Sequence, residues 1–150
     1  MTVSVLPTEL ATSAVVSMLR AATASLSAVM VYDHRIPPAG VSTPYGLVLA
    51  VDSPDPDGPP WSDDEADATL TFQLDAVGKR RDQAQWLADR LRSAVLGRTG
   101  PNWTNAVSVS GWVSADRRTT GQYGRVDREG SPRFELYVAR AQYELAFTPA

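Results

Sequence analysis

The run ATLTFQLDAVG at positions 68–78 passes without a break into GKRRDQAQWLADRL. Across Gly78 the hydrophobic period changes from two residues to about 3.6. Before it, Leu70, Phe72, Leu74 and Ala76 share one parity, and Thr71, Gln73 and Asp75 the other. That is the pattern of a half-buried strand. After it, Ala84, Leu87, Ala88, Leu91 and Val95 form the stripe of a helix over about 80–96, with Gly97 placed to follow its end. Asp82 lies near the helix start and Arg90 and Arg92 near its end, in agreement with the macrodipole. Trp86 and Arg90 are one turn apart and can stack. A strand that feeds an amphipathic helix must bury both apolar faces on the same core, which restricts the chain to layered helix-on-sheet folds.

The remaining segments extend this frame. TELATSAVVSMLRAATASLS, 8–27, reads as a helix with Thr8 as N-cap and Glu9 in the first turn. Its expected stripe is Leu10, Ala14, Met18, Ala22 and Leu26, widened by Val15 and Leu19, with small residues opposite. VMVY at 29–32 is a short strand candidate. YGLVLAV at 45–51 is apolar on both faces, as a central strand or one covered by a partner chain would be. AVSVSGWV, 106–113, alternates. RFELYVARAQYELAF, 133–147, changes phase, and a bulge near 139–141 would keep both apolar sets on one face. The order helix, strands, helix, strands predicts an α+β fold. Its sheet is mostly antiparallel, with two main helices, at about 8–27 and 80–96, packed on one face. A length of 150 residues suits a single domain, 1–150, with long loops at 52–67 and 114–132.

Composition narrows the function classes. The chain has no cysteine, so disulfides, thiolate metal sites and cysteine nucleophiles are excluded. No run approaches the ~18 apolar residues of a membrane span, and MTVSVLPTEL lacks the features of a signal peptide. The net charge of −3 hides an asymmetry. Residues 1–78 hold ten acids and two bases, while residues 79–150 hold twelve bases and seven acids. Such a bipolar chain can pair with copies of itself or with charged neighbours, or its halves interleave in one fold and the dipole largely cancels.

The motifs point away from catalysis. GKRR lacks the upstream glycine and following Ser or Thr of a phosphate loop, since position 73 is Gln and position 80 is Arg. Lys79, Arg80 and Arg81 at a helix start are most simply solvated or paired with a neighbouring subunit's acids, and they also suit a single phosphate or a DNA backbone oxygen. The acidic stretch DSPDPDGPPWSDDEAD places Ser53, Asp55, Asp57 and Asp64 at calcium-loop positions, but four prolines interrupt it. His34 is the one histidine, and no serine sits in a nucleophile elbow. Arg117, Arg118, Arg125, Arg128 and Arg133 with Tyr123 could track phosphates, but Asp116, Asp127 and Glu129 interrupt them. No enzyme, cofactor or metal site is expected.

Taken together, the order of pieces resembles a known family. A helix leads through a Pro-rich link to STPYGLVLAV, then to an acidic insertion with Trp61. The alternating strand enters GKRRDQAQWLADRLRSAVLG, and the chain closes on RFELYVARAQYELAF. This is similar to the tail-terminator proteins of long-tailed bacteriophages, also called tail completion or head–tail joining proteins. The resemblance covers nearly the whole chain. It rests on element order and on residues 68–97 rather than on an invariant motif. It implies a virion protein of the tail or neck, assembled in the host cytoplasm. Its copies, usually six, would form a ring on the last ring of tail-tube protein, stop tube growth and dock the head connector or stopper, with genomic DNA in the channel. The expected subunit or neck contacts are Asp55, Asp57, Asp63, Asp64 and Glu65 on one side. On the other are Lys79, Arg80, Arg81, Arg117, Arg118 and Arg125. Another neck-ring component, a tube subunit, or an unrelated α+β binding module or small enzyme are the alternatives.

Overall fold

A computed structural model describes residues 5–26, 29–33, 42–52, 56–57, 67–121, 126–129 and 135–150. The elements run α1 (Thr8–Thr23), β1 (Met30–Asp33), β2 (Tyr45–Asp52), β3 (Pro56–Asp57), β4 (Asp67–Gly78), α2 (Arg81–Leu96), β5 (Arg98–Thr99), β6 (Asn102–Trp103), β7 (Ser108–Val109), β8 (Trp112–Thr120), β9 (Val126–Glu129) and β10 (Leu136–Pro149). One sheet has the order β1-β2-β4-β10-β8-β7, with β3 on β4 and β9 on β10. Among the described residues only β1 and β2 pair in parallel within it. This is the expected α+β architecture.

Both helices cover the same face. In β4 the even positions Ala68, Leu70, Phe72, Leu74 and Ala76 are buried there, and in β10 Ala139, Ala141, Tyr143, Leu145 and Phe147 meet them. Phe72 and Tyr143, opposite one another in the ladder, stack with centroids 5.6 Å apart. α2 buries Ala84, Leu87, Ala88, Leu91, Ala94 and Val95 against this surface, the expected stripe and Ala94 beside it. Gly78 permits the tight entry to α2, because a Cβ there would lie 2.8 Å from the Ala84 amide nitrogen.

Several local expectations need correction. α1 begins after Pro7, not with Thr8 as its cap, and ends at Thr23. It is also rotated: Ala11, Val15, Val16 and Leu19 are buried, whereas Leu10 is 54% exposed. Thr12 and Thr23 can enter the core because their hydroxyls donate to the carbonyls of Thr8 and Leu19, each at 2.8 Å. Gly97 follows α2 in extended conformation, φ −63°, rather than left-handed. It is confined by the Ser93 carbonyl, which a Cβ would approach to 2.5 Å. The run 106–113 is two strands, not one, because the chain turns at Gly111 with φ 80° between β7 and β8.

The long connection expected at 114–132 is largely strand. β8 and β9 lie on the same edge of β10, pairing with 142–149 and 136–139. Its polar residues suggest a loop, but Asp116, Arg118, Asp127 and Glu129 lie on the outer face of these strands, and Arg117 on the helix side is held by the Val95 carbonyl. The bulge expected near 139–141 is absent, for β10 keeps unbroken register with β4 from Tyr137 to Phe147. The irregularity lies between Ala146 and Phe147 in the pairing with β8. Hence Val138 is buried on the face opposite the helices. The acidic loop at 52–67 falls mostly outside the described residues, apart from Asp52, Asp67 and the short β3.

Candidate interaction surface

The face of the sheet away from the helices is built by the alternate residues. On β2 it presents Tyr45, Leu47 and Leu49, half-buried, then the exposed Val51. On β1 it presents Met30, 51% exposed, and Tyr32, whose ring packs edge-on against Tyr45 at 6.0 Å. Strand alternation and register put Asp67 and Asp75 of β4 on this face, with Asp116 and Arg118 of β8. Asp127 and Glu129 of β9 and Arg140 and Glu144 of β10 join them. Six carboxylates thus face two guanidiniums among the described residues.

Arg140 is the hub. It bonds Glu129 and lies 3.6 Å from Asp75 and 3.7 Å from Asp127. The Glu129 hydrogen bond raises the Arg140 guanidinium above its ordinary value. Asp75 is only 6% exposed and accepts a 2.8 Å bond from the Gln73 amide. Burial pushes its carboxyl upward, although Gln73 and Arg140 pull the other way. Burial is also the main cause of the raised Tyr45 hydroxyl, with Tyr32, Asp75 and Glu129 adding to it. Among the described residues, three carboxylates surround this one cation. Arg118 pairs with Glu144 on the same face.

The opposite side of the molecule is basic around α2. Lys79, Arg80 and Arg81 at its entry are exposed, and Arg90 and Arg92 follow, against Asp82 and Asp89. Arg80 pairs with Asp82 at 3.0 Å, both well exposed. The Lys79 amide donates to Gln83 Oε1 at 2.7 Å, so a donor that an anion would use is already taken by the helix itself. Trp86, 40% exposed, stands on the outward ridge with the Arg90 guanidinium 5.6 Å from its ring, as the spacing predicts.

The residues singled out from sequence therefore divide. Lys79, Arg80, Arg81 and Arg118 lie on the surface, the first three on the helix side and Arg118 on the outer sheet face. Arg117 does not. It is 5% exposed, on the helix side of β8, and its Nη1 donates to the Val95 carbonyl at 3.1 Å. The Trp103 ring lies 5.0 Å away. Arg117 therefore closes the C-terminal end of α2 and is unsuited to contact a partner. Burial pulls its guanidinium below the usual value. Asp55, Asp63, Asp64, Glu65 and Arg125, with His34, Ser53, Tyr123 and Arg133, lie outside the described residues, and for Asp57 only the backbone is described. Sequence reasoning missed the Arg140 cluster, because its members lie in three separate strands, β4, β9 and β10, and meet only through strand register.

Among the described residues no group of three or more His, Cys, Asp or Glu could hold a metal ion, and no helix is long and apolar enough to cross a membrane. No protein-family model and no curated protein matches the chain. Among solved structures, the chain is similar to one described as "Virion of native gene transfer agent (GTA) particle". The two are 16% identical, with 91% of this chain and 93% of that chain covered and a TM-score of 0.49.

Proposed function

We propose that the chain is a structural protein of a phage-like virion and acts as a tail terminator. Its copies form a ring, usually of six, on the end of the tail tube. The ring stops tube growth and presents a surface to the head connector, and DNA passes through its channel. The observation that carries this reading is the placement of unlike charge on opposite sides of one layer among the described residues, acidic on the sheet face away from the helices and basic around α2. A cyclic assembly repeats one heterologous interface, so each copy must offer two different, complementary patches. The resemblance in element order supports the same reading: the strand-to-helix passage through Gly78 and the long closing strand sit at the centre of the sheet.

Electron microscopy of tail tubes mixed with the purified chain tests the proposal. A terminator adds one annular layer at a single tube end and halts elongation. A tube subunit instead lengthens the tube or polymerises alone. Tubes that stay bare and keep growing contradict the proposal.

A further inference from the structure

We infer that the outer sheet face receives the exposed ridge of α2 from a second copy of this chain, and that this contact is the repeating joint of the assembly. The inference rests on the reading that the chain assembles with itself, and supplies the surfaces it uses. Charge complementarity selects the occupant. Among the described residues the cluster around Arg140 sets three carboxylates against one guanidinium, and the entry to α2 carries three successive bases.

Spacing gives the register. Arg140, Asp75, Leu47 and Tyr32 form one cross-strand row over β10, β4, β2 and β1. From β10 to β2 is two strand spacings, about 10 Å. From Arg80 to Trp86 along a helix is six residues, about 9 Å. A neighbour's α2 laid along that row with its Trp86 over the aliphatic strip at Leu47 puts the start of the helix over β10, and its long basic side chains then extend one further strand spacing to Asp127 and Glu129 of β9. An exposed tryptophan entering an apolar strip beside charge pairs is the usual composition of an interface anchor.

The geometry also dictates how contacts propagate. The two patches lie on opposite sides of the layer, so a copy that donates α2 to one neighbour must receive α2 from another. A two-fold dimer cannot satisfy both, so the contact repeats from copy to copy, and it makes a ring where the rotation between neighbours closes.

Charge-reversed variants test this by sedimentation velocity, with thermal melts to confirm folding. The wild-type chain should sediment above the monomer as concentration rises. Arg80→Glu/Arg81→Glu should keep its melting temperature and associate at least ~10-fold more weakly, the loss of one or more close charge pairs. Asp127→Lys/Glu129→Lys should fail alone, yet a mixture of the two double variants should reassociate, because each then meets a complementary surface on the other. If the outer-face variant does not fold, Trp86→Ala serves in its place and should also weaken association. A wild-type chain that stays monomeric at every concentration overturns the inference. So does association unchanged in both Arg80→Glu/Arg81→Glu and Trp86→Ala. In either case a ring still seen on tail tubes keeps the terminator reading, and its absence there removes that reading separately.

Discussion

The two faces of the sheet are built from the same strands and meet opposite fates. Beneath the helices, β4 and β10 contribute an unbroken apolar surface that is almost wholly buried, with Phe72 stacked on Tyr143 at its centre. On the other face the same strands bury Val77, Val138 and Asp75 but otherwise carry mainly polar and charged side chains, and β1 and β2 leave Met30 and Val51 half exposed. The first face is finished within the chain. The second is half finished, with a buried carboxylate whose ionisation opposes folding and aliphatic side chains that no described element covers. Stability should therefore reside on the helix side, and association on the outer face and on α2.

The largest expected effect lies on the helix side. Phe72→Ala should cost about 3–5 kcal/mol of folding stability, as a fully buried aromatic truncated in a core does, read from denaturant unfolding. Next comes Arg117→Met. It leaves the Val95 carbonyl without its 3.1 Å donor, and an unsatisfied buried acceptor costs about 1–3 kcal/mol. A loss of that size with unchanged association would separate Arg117 from the contact residues.

Asp75→Asn should act in the other direction. The folded carboxyl has a raised value, so the folded state holds its proton more tightly than the unfolded state. The stability it contributes is complete below the unfolded value and is lost as pH rises through the folded one. At neutral pH the Asn variant should be as stable as the wild type or more so, with Asp127 and Glu129 still pairing Arg140. The difference should shrink as pH falls through the window between the raised and ordinary values. A variant markedly less stable at pH 7 would show that the Arg140 pairing outweighs desolvation. The smallest effect belongs to Val51→Ser, within about 0.5 kcal/mol for an exposed side chain. If melts of Val51→Ser and Phe72→Ala fell equally, the contrast between the faces would fail.

The helix side was legible in the sequence because its period is regular. The parity of Leu70, Phe72, Leu74 and Ala76 and the stripe from Ala84 to Val95 locate strand, helix and buried faces together. The outer face was not. Leu136 and Val138 have the opposite parity to Tyr143 and Leu145, and a bulge is the natural way to reconcile them if only one face is buried. The unbroken register shows a second small apolar patch instead. Arg117 and Arg118 are adjacent and chemically identical, yet strand alternation turns one under Trp103 and the other onto Glu144. A charge run cannot reveal that division, nor can it gather Asp75, Asp127, Glu129 and Arg140 into one site. α1 misled for another reason, since its buried threonines satisfy their hydroxyls within the helix and so look polar only in sequence.

Lys79 is the one lysine in the chain, which makes a zero-length carbodiimide cross-link a direct report on the surface that side chain meets. With light and heavy isotope copies mixed before assembly, only links joining the two labels come from between subunits. The contact described here predicts mixed-label links from Lys79 to Asp127 or Glu129. Mixed-label links from Lys79 confined to helix-side carboxylates such as Glu9 or Asp89, or none at all in the assembled protein, would contradict it.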